Sequence, residues 1–118
     1  MSSLHSIITT ALSGVAGGRI HANVTPPAAT FPLIVYQEVG GQAVNFLEGT
    51  YPGQNHARVQ FVVWSASPLE AEDVKNDAIK QMVNEEGAFL YGAPTALYED
   101  AIKKHGYRFD VGIWYTPD

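Results

Sequence analysis

The chain has 118 residues, 46% of them hydrophobic, with 11 glycines. That bounds it to one ordinary globular domain, 1–118, burying roughly two-thirds of its unfolded surface. It has no cysteine, which excludes a disulfide framework, a thiolate metal site and a cysteine nucleophile, and 7 basic against 12 acidic residues leave a net charge of −5, which argues against a general grip on nucleic-acid phosphates.

Leu4, Ile7, Ile8, Ala11, Leu12 and Val15 recur at three- and four-residue intervals and predict one buried helical stripe. Ser2 or Ser3 can cap its start, and Gly14, Gly17 and Gly18 can end it. No full positive charge precedes Arg19, so the apolar run Ile7–Val15 lacks the basic start of a secretory signal. No apolar run approaches the ~18 residues of a membrane span, and the reading is a soluble, unexported chain with no membrane partner. Arg19–Asn23 reads as a short strand, and Thr25–Thr30, with two prolines, as a rigid connector.

Pro32–Val39 is the next strand, ending at Gly40-Gly41. The following stretch of about 17 residues, Gly41–Ala57, is longer than most loops of compact domains. It holds Asn45, Phe46, Leu47, Glu48 and Tyr51. An extended hairpin whose tip meets a partner explains apolar residues there, and so does a loop folded back over its own core.

Arg58–Trp64 is β-branched and aromatic and predicts a largely buried strand. Ser67-Pro68-Leu69-Glu70 then reads as a capping box. The Ser67 hydroxyl accepts from the Glu70 N–H, and the Glu70 carboxylate reaches back to the Ser67 N–H. The helix runs from Pro68 to about Asn84, with Ala71, Val74, Ala78, Met82, Ile79 and Val83 inward and its acids near the N-terminus. Phe89–Tyr91 and Ala96–Tyr98 predict a strand broken or bulged around Gly92 and Pro94. Lys103–Gly106 reads as a turn into the last strand, Tyr107–Tyr115. Alternation puts Tyr107, Phe109, Val111, Ile113 and Tyr115 on one face of it, and Arg108, Asp110, Gly112 and Trp114 on the other. The sum is an α+β fold: a mostly antiparallel sheet, two helices packed on one face and a long β-hairpin arm.

Little in the chain suggests chemistry. His5, His21, His56 and His105 show no metal-ligand spacing and read as surface or turn residues. Glu85-Glu86 point about 100° apart on a helix and read as a solvated end. No serine sits in a G-x-S-x-G elbow, and the glycine pairs lack the companions of a phosphate cradle. Arg108 and Asp110 share a strand face and can pair with each other or with a neighbour. Tyr36, Trp64, Trp114 and Tyr115 can form a base-stacking platform, but packing explains them better. No catalytic residue, cofactor or metal site emerges.

Three segments in this order carry a resemblance: Pro32–Val39, Arg58–Ser65 followed by a helix opening with acids and alanine, and Tyr107–Tyr115. The P-L-I-V-Y-Q phrase, the R-V-Q-F-V-V-W strand and the closing R-F-D-V-G-I-W resemble the tail-completion or tail-terminator proteins of long-tailed bacteriophages and prophages. The resemblance implies a non-enzymatic virion assembly protein without cofactor. It caps the head-proximal end of the tail tube, usually as a hexameric ring, stops tube polymerisation and joins tail to head. Its implied partners are further copies of itself, the tail tube protein and the head–tail connector protein, with no specific nucleic-acid binding. Its implied location is the virion, after assembly in the bacterial host cytoplasm. On this reading the arm residues Asn45, Phe46, Leu47, Glu48 and Tyr51 meet a neighbouring subunit or the tube. The alternatives are another neck or tail-tube component, or a small ligand-binding module or enzyme using the aromatic sheet face.

Overall fold

A computed structural model describes residues 4–40, 55–85 and 87–115. Helix α1 spans Leu4–Ala11, and its stripe carries on through Leu12 and Val15; all four of Leu4, Ile8, Leu12 and Val15 are buried. The chain then reverses through a tight turn at Ala16–Gly18, where Gly17 and Gly18 adopt φ of 63° and 78°, a region that favours glycine. The Arg19 Nε–H donates to the Pro32 carbonyl oxygen at 2.8 Å and ties this turn to the end of the connector.

The five strands are β1 (Ile20–Ala22), β2 (Leu33–Glu38), β3 (Asn55–Ser65), β4 (Phe89–Glu99) and β5 (Lys104–Tyr115), and the second helix, α2, is Pro68–Lys80. The sheet order is β1-β2-β3-β5-β4, antiparallel except for the β1–β2 pair. This is the α+β architecture expected from sequence, with both helices on one face. β3 starts three residues before Arg58, because Asn55, His56 and Ala57 still pair with Tyr115, Trp114 and Ile113 of β5. The two legs of the β2–β3 hairpin stay bonded beyond β2: the Val39 N–H donates to the Arg58 carbonyl, and the Arg58 N–H to that of Gly40. The arm residues Asn45, Phe46, Leu47, Glu48 and Tyr51 lie outside the described residues.

Strand alternation decides which side is dry. Ala57, Val59, Phe61 and Val63 of β3, Ile34 and Tyr36 of β2, and Phe109, Val111 and Ile113 of β5 all face the helices. There they meet Leu4 and Ile8 of α1, Leu12 just after it, and Val74, Ala78 and Met82 of the second helical segment. Phe61 and Phe109 stack at the centre with ring centroids 5.2 Å apart.

Two local expectations change. The N-cap forms as read, with the Ser67 hydroxyl accepting from the Glu70 N–H at 3.1 Å. The reciprocal arm does not: the Glu70 carboxylate accepts from the Ser65 hydroxyl, and the Ser67 N–H turns to the Ser65 Oγ at 3.4 Å. Ser65 is the last core-facing residue of β3 and fully buried, so its hydroxyl sits under the first turn of α2 and intercepts both groups. The second change is the β4–β5 turn, which lies at Asp100–Lys103, with β5 beginning at Lys104. Gly106 belongs to the strand, opposite Trp64, whose ring would stand 2.8 Å from a Cβ there. A glycine in a strand here marks close approach rather than a turn.

The Ser2 or Ser3 cap lies outside the described residues. α2 passes into a π-turn at Gln81–Glu85, one residue past the end read near Asn84. β4 breaks register between Tyr91 and Thr95, at the predicted Gly92–Pro94 bulge.

Candidate functional site

The helices leave the other sheet face uncovered. Its residues are the even-numbered ones of β3 and β5 and, by register, Leu33, Val35 and Gln37 of β2 and Phe89, Tyr91, Thr95, Leu97 and Glu99 of β4. The connector before β2 reaches over one end of this face, where Lys104 Nζ lies 4.8 Å from the Phe31 ring centroid. The other end, beside Gly40 and Arg58, is open among the described residues.

At that open end side chains from three strands converge over Gly112. The Arg58 Nε–H donates to Asp110 Oδ2 at 2.9 Å, across a diagonal of the β3–β5 ladder. The Arg58 guanidinium also lies 4.5 Å from the Tyr91 ring centroid. The Tyr91 hydroxyl is 3.4 Å from His56 Nε2, and the His56 ring packs 4.7 Å from that of Trp114. Phe89 meets Tyr91 edge-on at 5.5 Å. Gly112 makes room for this cluster: a Cβ there would stand 2.5 Å from the Tyr91 hydroxyl and 2.9 Å from His56 Nε2. The Arg58 side chain is 47% exposed, so the ion pair contributes about 0.2–1 kcal/mol and fixes geometry more than stability. Trp114 is 51% exposed and Phe89 68%. These two rings lie on solvent beside a fixed, partly charged platform.

Register sorts the residues singled out from sequence. Arg108 and Asp110 do share a face, but Asp110 takes Arg58 of the next strand as its partner. The stacking platform does not form. Tyr36 faces the core at 4% exposure with its hydroxyl 2.8 Å from His5 Nδ1, and burial pushes its phenol above the ordinary pKa. Tyr115 also points to the helix side. Trp64 and Trp114 are on the uncovered face but opposite Gly106 and His56, eight positions apart along β3, or about 27 Å of strand. His5, His56 and His105 each pack on an aromatic ring, and His105 lies in β5 rather than in a turn. Among the described residues no group of three or more His, Asp or Glu could hold a metal ion.

Sequence reading placed Trp114 and Asp110 on this face but missed His56, Arg58, Phe89 and Tyr91 as their neighbours. The signal that could have found them is Gly112: a glycine amid bulky residues on a central strand implies neighbours leaning over it.

A cavity of about 210 Å³ lies farther along the same face, lined by Asn23, Thr25, Val35, Gln37, Gln60, Val62 and Trp64 with Tyr36. That lining holds amides and hydroxyls but no carboxylate, imidazole or amine. A larger one, about 470 Å³, lies between the C-terminal ends of the two helices, with Thr10, Ser13, Asp77, Lys80 and Gln81 in its wall. Neither gathers the Arg58, Asp110 and His56 side chains.

This two-layer chain, with helices on one side and a sheet face bearing exposed aromatic rings on the other, is a small protein of the α+β class. Comparison with protein-family models matches residues 7–104 to the family described as tail completion protein gp17, and the chain belongs to that family. The matched segment ends where β5 begins, so the closing aromatic strand lies beyond it. No curated protein matches the chain. Family membership makes this a structural protein of bacteriophage tail assembly, associated with other tail components and with the virion. No helix among the described residues is long and apolar enough to cross a membrane.

Proposed function

We propose that this protein, acting as one 118-residue domain, caps the head-proximal end of the phage tail tube. It ends tube polymerisation and provides the surface on which the filled head docks. The observation that carries this is the family match across residues 7–104. The cap is a ring of copies, taken as six. One side of the ring copies the tube's own interface; the other lacks the surface that recruits further tube subunits and meets the head–tail connector protein. The subunit performs no catalysis, and the ring assembles in the host cytoplasm before becoming part of the virion.

Two structural features support the reading. The hairpin legs are bonded out to Gly40 and Arg58, which gives the arm a stiff base from which Asn45, Phe46, Leu47, Glu48 and Tyr51 contact a neighbouring subunit or the tube. The charge is compatible with a lumen that DNA traverses, since six copies at −5 each carry about thirty negative charges and repel the duplex from the wall.

The test is electron microscopy of a lysate from the parent phage or prophage lacking only this gene. Overlong tubes of variable length beside unattached filled heads are expected. Normal virions of normal tail length would refute the proposal. Removing the arm should leave a folded subunit that no longer caps tubes; capping by the armless chain would refute the assignment of the arm to the interface.

A further inference from the structure

Among the described residues the two sides of the subunit differ in charge. On the uncovered sheet face the described bases are Arg58, Lys104 and Arg108, against the described acids Glu99 and Asp110. Arg58 is already matched by Asp110, and Lys104 lies opposite Glu99. Arg108 is exposed and unbalanced, on the same face as the exposed Trp114 and Phe89.

The opposite side presents the outer surface of α2. Leu69, Glu72, Asp73 and Asn76 fall at i, i+3, i+4 and i+7, one stripe of the helix. All four are exposed, Leu69 by 68%, while Ala71, Val74 and Ala78 turn to the sheet. Lys80, also exposed, continues the stripe at its C-terminal end, so it is the N-terminal half, Leu69, Glu72 and Asp73, that pairs an apolar side chain with two carboxylates, the complement of apolar rings with an unbalanced guanidinium.

We infer that the uncovered sheet face of one copy docks on the outer α2 stripe of the next, with Arg108 against Glu72 and Asp73. The inference rests on the self-assembly in the proposed function and names the surfaces that perform it. Complementarity separates the possible pairings. Two sheet faces set Arg108 to Arg108 repel, and two α2 stripes set antiparallel match Lys80 to Glu72 and Asp73 but leave Arg108 and the exposed rings of Trp114 and Phe89 without a counterpart. Sheet face on helix stripe is attractive. Because the two surfaces lie on opposite sides of the subunit, the contact is heterologous, and it repeats from copy to copy until a rotation closes it into a ring.

The experiment is complementation of the gene-deleted phage with charge-reversed chains, scored by infective titre and tail length. Wild type must restore both; if it does not, the capping proposal itself falls. With wild type active, Arg108→Glu alone and Asp73→Arg alone should each lower the titre about tenfold or more. The double reversal should recover most of that loss. Singles indistinguishable from wild type, or a double as defective as the worse single, overturn the inference. Circular dichroism melts confirm that each variant folds.

If a single reversal disturbs folding, cysteine pairing decides instead, since the natural chain has no cysteine. Under oxidation, the Arg108→Cys, Asp73→Cys double variant should give a covalent ladder beyond dimer. The absence of that ladder, a dimer from Arg108→Cys alone, or a crosslink from Arg108→Cys to the tube protein would each overturn the self-contact.

Discussion

Ser65→Ala separates the observed α2 start from the simpler capping box. Ser65 is fully buried, its hydroxyl donates to the Glu70 carboxylate, and its oxygen receives the Ser67 N–H. A hydrogen bond to a charged group contributes about 1.5–3 kcal/mol net. Glu70 is exposed, so its carboxylate regains water once the serine is gone, and the lower part of that range applies. The Ser67 N–H bond is long at 3.4 Å and adds little. The expected cost is about 1–2 kcal/mol, a fall of about 3–10 °C in Tm for a domain of this size. Were Glu70 bonded to the Ser67 N–H instead, Ser65→Ala would only remove a buried hydroxyl that has no charged partner, at almost no cost.

The assay is urea denaturation of Ser65→Ala, Glu70→Ala and the double variant. A coupling energy of about 1 kcal/mol or more is expected, because the two side chains form one bond. Additivity within about 0.3–0.5 kcal/mol would refute the Ser65–Glu70 bond. So would an unchanged midpoint in Ser65→Ala.

Gly106→Ala should destabilise more than Gly112→Ala in the same urea assay. The first Cβ meets the Val63 backbone carbonyl and the Trp64 ring, whereas the second meets only the ends of the Tyr91 and His56 side chains, which can swing aside. Phe61→Ala empties the centre of the core, at a cost of about 3–5 kcal/mol, and equilibrium unfolding should show a largely unfolded or barely stable chain. The Tyr36 phenol is raised by burial. Its protonated form therefore favours the fold fully below the ordinary tyrosine range, and that contribution is lost as pH rises through the folded value. Melting temperature should fall above about pH 10, and Tyr36→Phe should lose less over that interval; equal loss would rule Tyr36 out as the cause.

Much of the fold was legible because alternation and capping are local. The period-two pattern of Tyr107–Tyr115 puts Phe109, Val111 and Ile113 on one face before any partner strand is known, and that face is the buried one. The three- and four-residue spacing from Leu4 to Val15 marked the buried side of α1 in the same way. Gly92 and Pro94 announced the bulge in β4, since proline cannot donate to a ladder. The family was legible too, from the order of three strand phrases.

The surface cluster was not. Arg58 and Asp110 are 52 positions apart, and Tyr91 and His56 are 35 apart. Register alone makes them neighbours, and register between distant strands has no signature within either strand. The same holds for Ser65: its place at the end of β3 is visible in sequence, but its position under the turn of α2 depends on how the helix packs back on the sheet. Local periodicity thus determined by itself which stripe of each helix is buried and that the class is α+β, whereas β3 and β5 each begin three residues earlier than their patterns because cross-strand pairing extends them. Only the tertiary structure decided which residues touch across strands, that Gly106 and Gly112 are gaps filled by neighbours, and that the described residues of the uncovered sheet face hold more bases than acids. Burial is a property of one segment's pattern, whereas contact requires two segments to be placed in three dimensions.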